Sequence, residues 1–478
     1  MIYRRCPLIL VVLIVLFEVV CADGDSFDRP SHLDVDPTTE IHSASKQHTS
    51  DLTRIPPTQP AAAPEQAPPP AETLEQAWAR ALIVDQQLQA RQWEVGSAQE
   101  LVKLAHAERR PVLAFDGAYT VRDNETAFVF NANGLTLPTN VFPDTQKEDF
   151  AFQAVVDVPL YTNGRIRHRI AAAKAKLTST EFEVKSYQSD LLLRVAEEYI
   201  SVLRAERDLE VARSNVRSLT SHLRDVGMLH QHQRVPRSDL LAAEVARSNA
   251  VQREIQVLHR LDATRAAYNR RLGRPLTAEF RLAVLEMPTV PDDLERLKLR
   301  ATTQRPELAS LGAEVQALHE QGEGLLARNR PQFGVQGGYA YQENRYRTPD
   351  GIASVGVGIN WNMWDGGKSR FKANALLQQA ESLRSIRADL ESRIRLEVRQ
   401  SWLSIQEAQR RIEVTQEAVQ HADENLRVNR KRYEYGTGTN TEVLDAVILR
   451  TETDRNHYNA SYDAVLAVLR LRRAVGDL

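Results

Sequence analysis

Apolar residues recur every seven positions at Val195, Val202, Leu209, Val216 and Leu223, and again at Val398, Ile405, Ile412, Val419 and Leu426. Each member of the second series lies 203 positions after its counterpart in the first. A seven-residue apolar period is the seam of a coiled coil. The same offset relates Tyr161–Arg167 to Trp364–Arg370, Ser238–Leu241 to Thr441–Leu444, and Arg270 and Gly273 to Arg473 and Gly476. Pro111, Gly117 and Tyr119 match Pro331, Gly337 and Tyr339 at a second offset of 220. The chain therefore reads as an internal two-fold sequence repeat. The first copy has 17 more residues between its strands, in the Asn-, Thr- and Pro-bearing stretch Thr120–Lys147.

The repeat constrains helix length. From Arg165 no proline or glycine occurs until Gly227, and Lys368–Tyr435 is the equivalent segment of the second copy. One uninterrupted helix of that length spans roughly 100 Å, too long for a globule. Shorter helices are expected over Thr73–Arg109, Ser238–Leu272, Pro306–Arg328 and Thr441–Val475. The residues between the apolar stripes are mostly Arg, Glu, Gln and Ser, which suits helices wetted on one side.

Between the helices lie strands with period-two alternation. Leu113, Phe115, Gly117, Tyr119 and Val121 form one apolar series, and Phe150, Phe152, Ala154, Val156, Val158 and Leu160 another. The second copy repeats it with Phe333, Val335, Gly337, Tyr339 and Tyr341, then Ala353, Val355, Val357, Ile359, Trp361 and Met363. Ser354, Gly356, Gly358, Asn360 and Asn362 occupy the opposite face. This is the pattern of a membrane barrel wall, with lipid outside and water inside. A soluble sheet would need a cover for its apolar face, and no helix between the strands can supply one. Four strands cannot close a barrel, because known barrels start at about 8. Three copies would give about 12, so counting alone implies a trimer.

The 478 residues are 42% hydrophobic and 26% charged, with a net charge of -2, which argues against a large nucleic-acid surface. Residues 1–22 read as a signal peptide: Arg4 and Arg5 precede the run Pro7–Val20, apolar apart from Glu18, and Val20, Cys21 and Ala22 form a small-residue cleavage site. An uncleaved anchor and lipidation at Cys21 are the alternatives. Cleavage after Ala22 removes Cys6 and Cys21, leaving no thiol chemistry. Residues 23–72, with Pro56, Pro57 and Pro68–Pro70, read as a disordered Pro/Ser/Thr-rich linker. The expected organisation continues with a first repeat at 73–275 carrying a β-hairpin at 111–161. A connecting or equatorial segment at 276–304 follows, then a second repeat at 305–478 with a β-hairpin at 331–364.

A strand hairpin, long helix, tight turn and shorter helix, twice over, resembles the TolC-like outer-membrane efflux proteins. The resemblance covers about residues 73–478. It rests on Thr73–Ala77, Arg305–Leu308, Trp364–Lys368 and, most specifically, Tyr433–Ala446, where Gly436, Gly438, Glu442 and Asp445 fall in order. It implies an α+β membrane protein in which each chain gives four strands to a trimeric 12-stranded barrel, continued by a long coiled-coil α-helical barrel. The implied role is an outer-membrane exit channel of a tripartite efflux pump or type I secretion system, with a periplasmic helical extension. The implied partners are two further copies of the chain, a periplasmic adaptor, an inner-membrane pump and the lipid bilayer. No cofactor is expected.

The resemblance also points to the turns near 226–238 and 433–441 as the periplasmic entrance. Gly227, Gly436 and Thr437 would lie in the turns that dock the adaptor. Asp239 matches an acid that holds neighbouring tips together, and Tyr433 a tyrosine of the constriction. Glu442 and Asp445 match acids lining it; three apart, they share a helix face, and rings of such carboxylates favour cations. Glu442 has an equal claim as the partner of Thr439 in a capping box. Gly438 departs from the family, many members of which carry a basic residue there that keeps the entrance shut. Arg234, Arg237 or a looser resting tip are the alternatives.

No catalytic constellation is present in the spacing, so the chain is not expected to be an enzyme. His222, His230 and His232 cluster in sequence but share no clean helix face, and are expected to be solvated loop residues rather than metal ligands. The competing functional reading is a periplasmic coiled-coil adaptor or a rod-like structural protein without a channel. An adaptor would need lipoyl-like β segments flanking a single hairpin, whereas this chain has two hairpins and no such segments.

Overall fold

The computed structural model describes residues 71–128, 131–132, 135–136, 142–285 and 293–478. The expected signal peptide, both cysteines and nearly all of the linker lie outside the described residues. Glu72, placed in the linker by composition, belongs to the packed protein. It bridges to Leu282 in parallel fashion, and its carboxylate receives the Arg274 guanidinium at 2.7 and 2.8 Å.

The helices are α1 (Leu74–Val84), α2 (Gln86–Ala107), α3 (Arg165–Gln231), α4 (Arg237–Arg271), α5 (Leu294–Gln304), α6 (Pro306–Ala327), α7 (Lys368–Glu434) and α8 (Asn440–Val475). The helix expected over Thr73–Arg109 is two. Thr73 opens α1 through a capping box with Gln76, and Asp85 then leaves the helical conformation and caps α2 at the Leu88 N–H, 2.8 Å away. A side chain that satisfies a free amide lets a new helix start at once. Within the expected connecting segment, α5 forms in the same way, with Asp293 accepting from the Glu295 and Arg296 N–H groups.

The boundaries fall in matched pairs. α1 and α5 each have 11 residues and begin 220 positions apart, as do the 22-residue α2 and α6. α3 and α7 each have 67 residues and begin 203 positions apart, about 100 Å of helix apiece. Each starts after a glycine with left-handed backbone, Gly164 (φ 88°) and Gly367 (φ 82°), a conformation that costs glycine little. Among the described residues no helix is long and apolar enough to cross a membrane.

The main sheet joins β1 (Val112–Val121), β6 (Glu148–Tyr161), β7 (Gln332–Gln342) and β8 (Gly351–Asn360) in the order β1-β6-β7-β8, all antiparallel. Four two-residue strands, β2 (Ala127–Phe128), β3 (Asn131–Ala132), β4 (Leu135–Thr136) and β5 (Phe142–Pro143), pair in the long first loop. The last strand ends at Asn360, short of the expected Met363. Register puts Phe115 beside Ala154, Tyr339 and Ala353 on one face, with Phe152 next to Gly117 and Tyr341. Asp116, Gln153, Asp157 and Gln336 lie on the other. On the apolar face Phe152 stacks on Phe115 and Tyr341, with centroids 5.8 and 5.2 Å apart. Among the described residues nothing covers this face: Leu113 is 70% exposed and Val357 75%. Both outer strands, β1 and β8, have one unpaired edge.

The buried core lies along the helices instead. One cluster packs α1 against Leu191, Val195, Tyr199 and Val202 of α3 and against the ends of α4 and α8. A second packs α5 against Ile394, Val398 and Ile405 of α7 and the end of α8. A third closes the far ends of the long helices. Among the heptad positions Val195, Val202, Val398 and Ile405 are fully buried.

Candidate functional site

The third cluster surrounds two turns. The first links α3 to α4 through residues 232–236, with Gln233 in left-handed backbone (φ 56°) and Pro236 directly before the helix. The second links α7 to α8 through residues 435–439, with Gly436 at φ 74°. The Thr437 and Gly438 N–H groups both donate to the Arg432 carbonyl, at 2.8 and 3.0 Å, which closes the end of α7.

Tyr433 stands at the centre. Its ring is buried among Leu219, Val226, Ala243, Leu426, Val443, Ala446 and Val447, residues drawn from all four helices. Its hydroxyl donates to the Asp239 carboxylate at 3.4 Å. Burial, and then the Asp239 charge, push the phenol up to about 12, so it stays protonated. Asn440, also buried, donates to the Asp239 carbonyl at 3.2 Å, and its own carbonyl lies 2.7 Å from His222 Nε2. The His222 ring packs 5.5 Å from that of Tyr433. Burial, the largest influence, holds its imidazole below the ordinary value, and the Arg430 charge acts in the same direction.

His222 was expected to be solvated; it is 3% exposed, inside α3, and ties the two hairpins together. His230 reaches the Val235 carbonyl at 3.1 Å and His232 caps α3. Gly227 is not in a turn. α3 runs through it to Gln231, and a side chain there would meet nothing within 4 Å.

Glu442 is engaged as a cap. Its carboxylate accepts from the Thr439 N–H at 3.1 Å, while the Glu442 N–H donates to the Thr439 hydroxyl at 3.3 Å. Arg432 lies 3.5 Å from the same carboxylate and donates to the Thr437 carbonyl at 3.1 Å. Asp445, one turn on, is exposed and has no hydrogen bond or ion pair among the described residues. At Gly438 an added Cβ would come within 3.0 Å of both the Arg432 side chain and Glu442 Oε2, and 3.2 Å of the Tyr433 backbone N. Within the chain, the cation beside Glu442 in this turn is Arg432. Its reach to Glu442 depends on how the turn closes, which spacing does not reveal. Among the described residues no three His, Cys, Asp or Glu side chains are grouped to hold a metal.

Comparison with known proteins places this geometry. The outer membrane efflux protein family matches residues 78–274 and 299–477. The chain is 26% identical over 345 residues to outer membrane protein TolC of Vibrio cholerae, covering 64% of this chain and 72% of that protein. It is 26% identical over 327 residues to the alkaline protease secretion protein AprF of Pseudomonas aeruginosa, covering 65% and 66% respectively. The solved structure of the outer-membrane channel OprN superposes with a TM-score of 0.73 at 16% identity, over 85% of this chain and 90% of that one. With a matched region that spans both long hairpins, the chain belongs to the outer membrane efflux protein family.

Proposed function

We propose that three copies of this chain close a 12-stranded barrel in the outer membrane, and that their long helices form a tunnel leading to it through the periplasm. The observation that carries this reading is the sheet: an apolar face without cover, a polar face opposite, and an unpaired edge on each outer strand. In lipid an open edge leaves backbone amides and carbonyls unsatisfied, so the sheet must close, and copies of the same sheet are the available partners. The matched element lengths support two structural copies within one chain. The relatives named above support an exit duct for efflux or secretion; in this reading it works with a periplasmic adaptor and an inner-membrane pump.

The tips form the gate. Tyr433, Asp239 and Asn440 hold the two hairpins of one chain together, and Gly436 and Thr437 present the exposed turn to the adaptor. Asp445, free of internal partners, lines the constriction; Glu442 supports the turn from within. Detergent-extracted protein is expected to run as a trimer and to conduct in a planar bilayer. A monomer, or a protein recovered only in the soluble periplasmic fraction, would overturn the reading. Asp445→Ala is expected to lower cation selectivity and cation block, while Glu442→Gln leaves both nearly unchanged; equal effects would place the constriction elsewhere.

A further inference from the structure

The sheet has two ends, and their charges are organised differently. Register puts Val121, Glu148, Gln342 and Gly351 at the loop end, and Val112, Tyr161, Gln332 and Asn360 at the end that joins the helices. At the loop end the arginines are matched: Arg122 with Asp149 at 2.5 Å, Arg345 with Glu125 at 2.5 Å, and Arg347 with Asp144 at 2.8 Å. At the helix end all four strand–helix junctions carry basic residues. Arg109 and Arg110 precede β1, Arg167 opens α3, Arg330 precedes β7, and Lys368 and Arg370 open α7. All six are exposed, and none of their side chains makes a hydrogen bond or ion pair among the described residues. Beside them are exposed aromatic side chains: Trp364 is 85% exposed, Phe371 69% and Tyr161 56%.

An uncovered apolar wall, an aromatic fringe and a row of unpaired cations, in that order, match the depth profile of a bilayer leaflet from chains to headgroups. We infer that this basic collar binds the phosphate headgroups of anionic glycerophospholipids in the leaflet on the helix side. The long stems of Arg and Lys can lie along the apolar wall while the charge reaches the phosphate. At the loop end these three arginines are self-paired and Lys147 is exposed without a partner among the described residues, against six such cations at the helix end, so the preference favours the helix-side leaflet. This inference rests on the membrane-barrel reading above.

The test is purified full-length protein in vesicles of phosphatidylcholine alone or with phosphatidylglycerol, read by thermal midpoint and by anionic lipid retained in native mass spectrometry. Wild type is expected to gain in midpoint and retain phosphatidylglycerol, with roughly five-fold weaker retention per collar charge removed among Arg109→Gln, Arg330→Gln and Lys368→Gln. The loop-end variant Arg345→Gln/Arg347→Gln should behave as wild type. Inorganic phosphate in place of the lipid should give no stabilisation; if it gave the full effect, the collar would be a free-anion site and the lipid proposal would fall. Equal retention by wild type and the collar variants would also overturn it while leaving the barrel intact. Failure of wild type to insert into either vesicle would instead overturn the barrel reading.

Discussion

The two tip turns sit at equivalent places, since Gln233 and Gly436 both lie 203 positions apart in left-handed backbone, yet they are held by different means. The α7–α8 turn is built from side-chain hydrogen bonds: Thr439 and Glu442 cap each other, and Arg432 ties both sides. The α3–α4 turn begins its helix at Pro236 with no side-chain cap, and its Asp239 carboxylate is left to meet Tyr433 of the other hairpin. One turn closes chiefly on its own side chains; the other has the His230–Val235 contact and is completed by its neighbour. A turn that borrows its partner couples the two hairpins; in the gate proposed above, opening would have to release that coupling.

The largest expected break in this contrast is Tyr433→Ala, which empties the shared core. Removing a buried aromatic costs about 3–5 kcal/mol. Hydrogen exchange should speed up at both turns, the α3–α4 side included, although the substitution is on α7. Gly438→Ala comes next, at about 1–3 kcal/mol, because its Cβ lacks room beside Arg432 and Glu442. The equivalent Val235 already carries a side chain against the core, so the same volume is tolerated there. Thr439→Ala should cost about 1 kcal/mol and accelerate exchange only at the start of α8, leaving α4 untouched. If α4 responds equally, the turns are not independently capped.

The smallest effect is a pH slope. His222 titrates below its ordinary value of 6.5 while packed against Asn440, so the packed tip binds fewer protons than an unfolded one. Its contribution is therefore fully present above that value and declines as pH falls through it. Arg430 of α7, Asp225 of α3 and Asp239 of α4 surround it, and the acids oppose the shift. Protection at residues 218–226, with exchange corrected for its intrinsic pH dependence, should fall between pH 7.5 and 5.5, and His222→Gln should flatten the fall; an unchanged slope would assign it to the carboxylates.

Much of the architecture was legible because length and period are carried by many residues. The seam Val195–Leu223 and its counterpart constrain the long helices at ten positions, and alternation along β1 and β8 states which face is apolar. The start of the second half was less visible. The family resemblance pointed to residue 305, but Leu294 and Glu295 repeat Leu74 and Glu75 at offset 220, and the fully buried Ala81 and Ala301 share it. That signal is only a few residues long and was outweighed by the Arg305–Leu308 motif. At the tips, Glu442 was readable as a cap because a capping box is local. His222, Asn440 and Arg432 were not readable, since each acts on a residue brought near only when the turns close. Gly227 misled because a helix tolerates one glycine, at a cost of about 1 kcal/mol relative to alanine, when its neighbours continue the pattern.

The equal length of α3 and α7 makes them matched struts: each runs 67 residues from sheet to turn. Inserting one residue in either would turn everything beyond it by about 100° and displace it by about 1.5 Å. Asp239 would then face away from Tyr433, although neither residue had changed. Such a chain can drift in almost any exposed side chain, but changes of length in its two struts must come together, and in whole heptads.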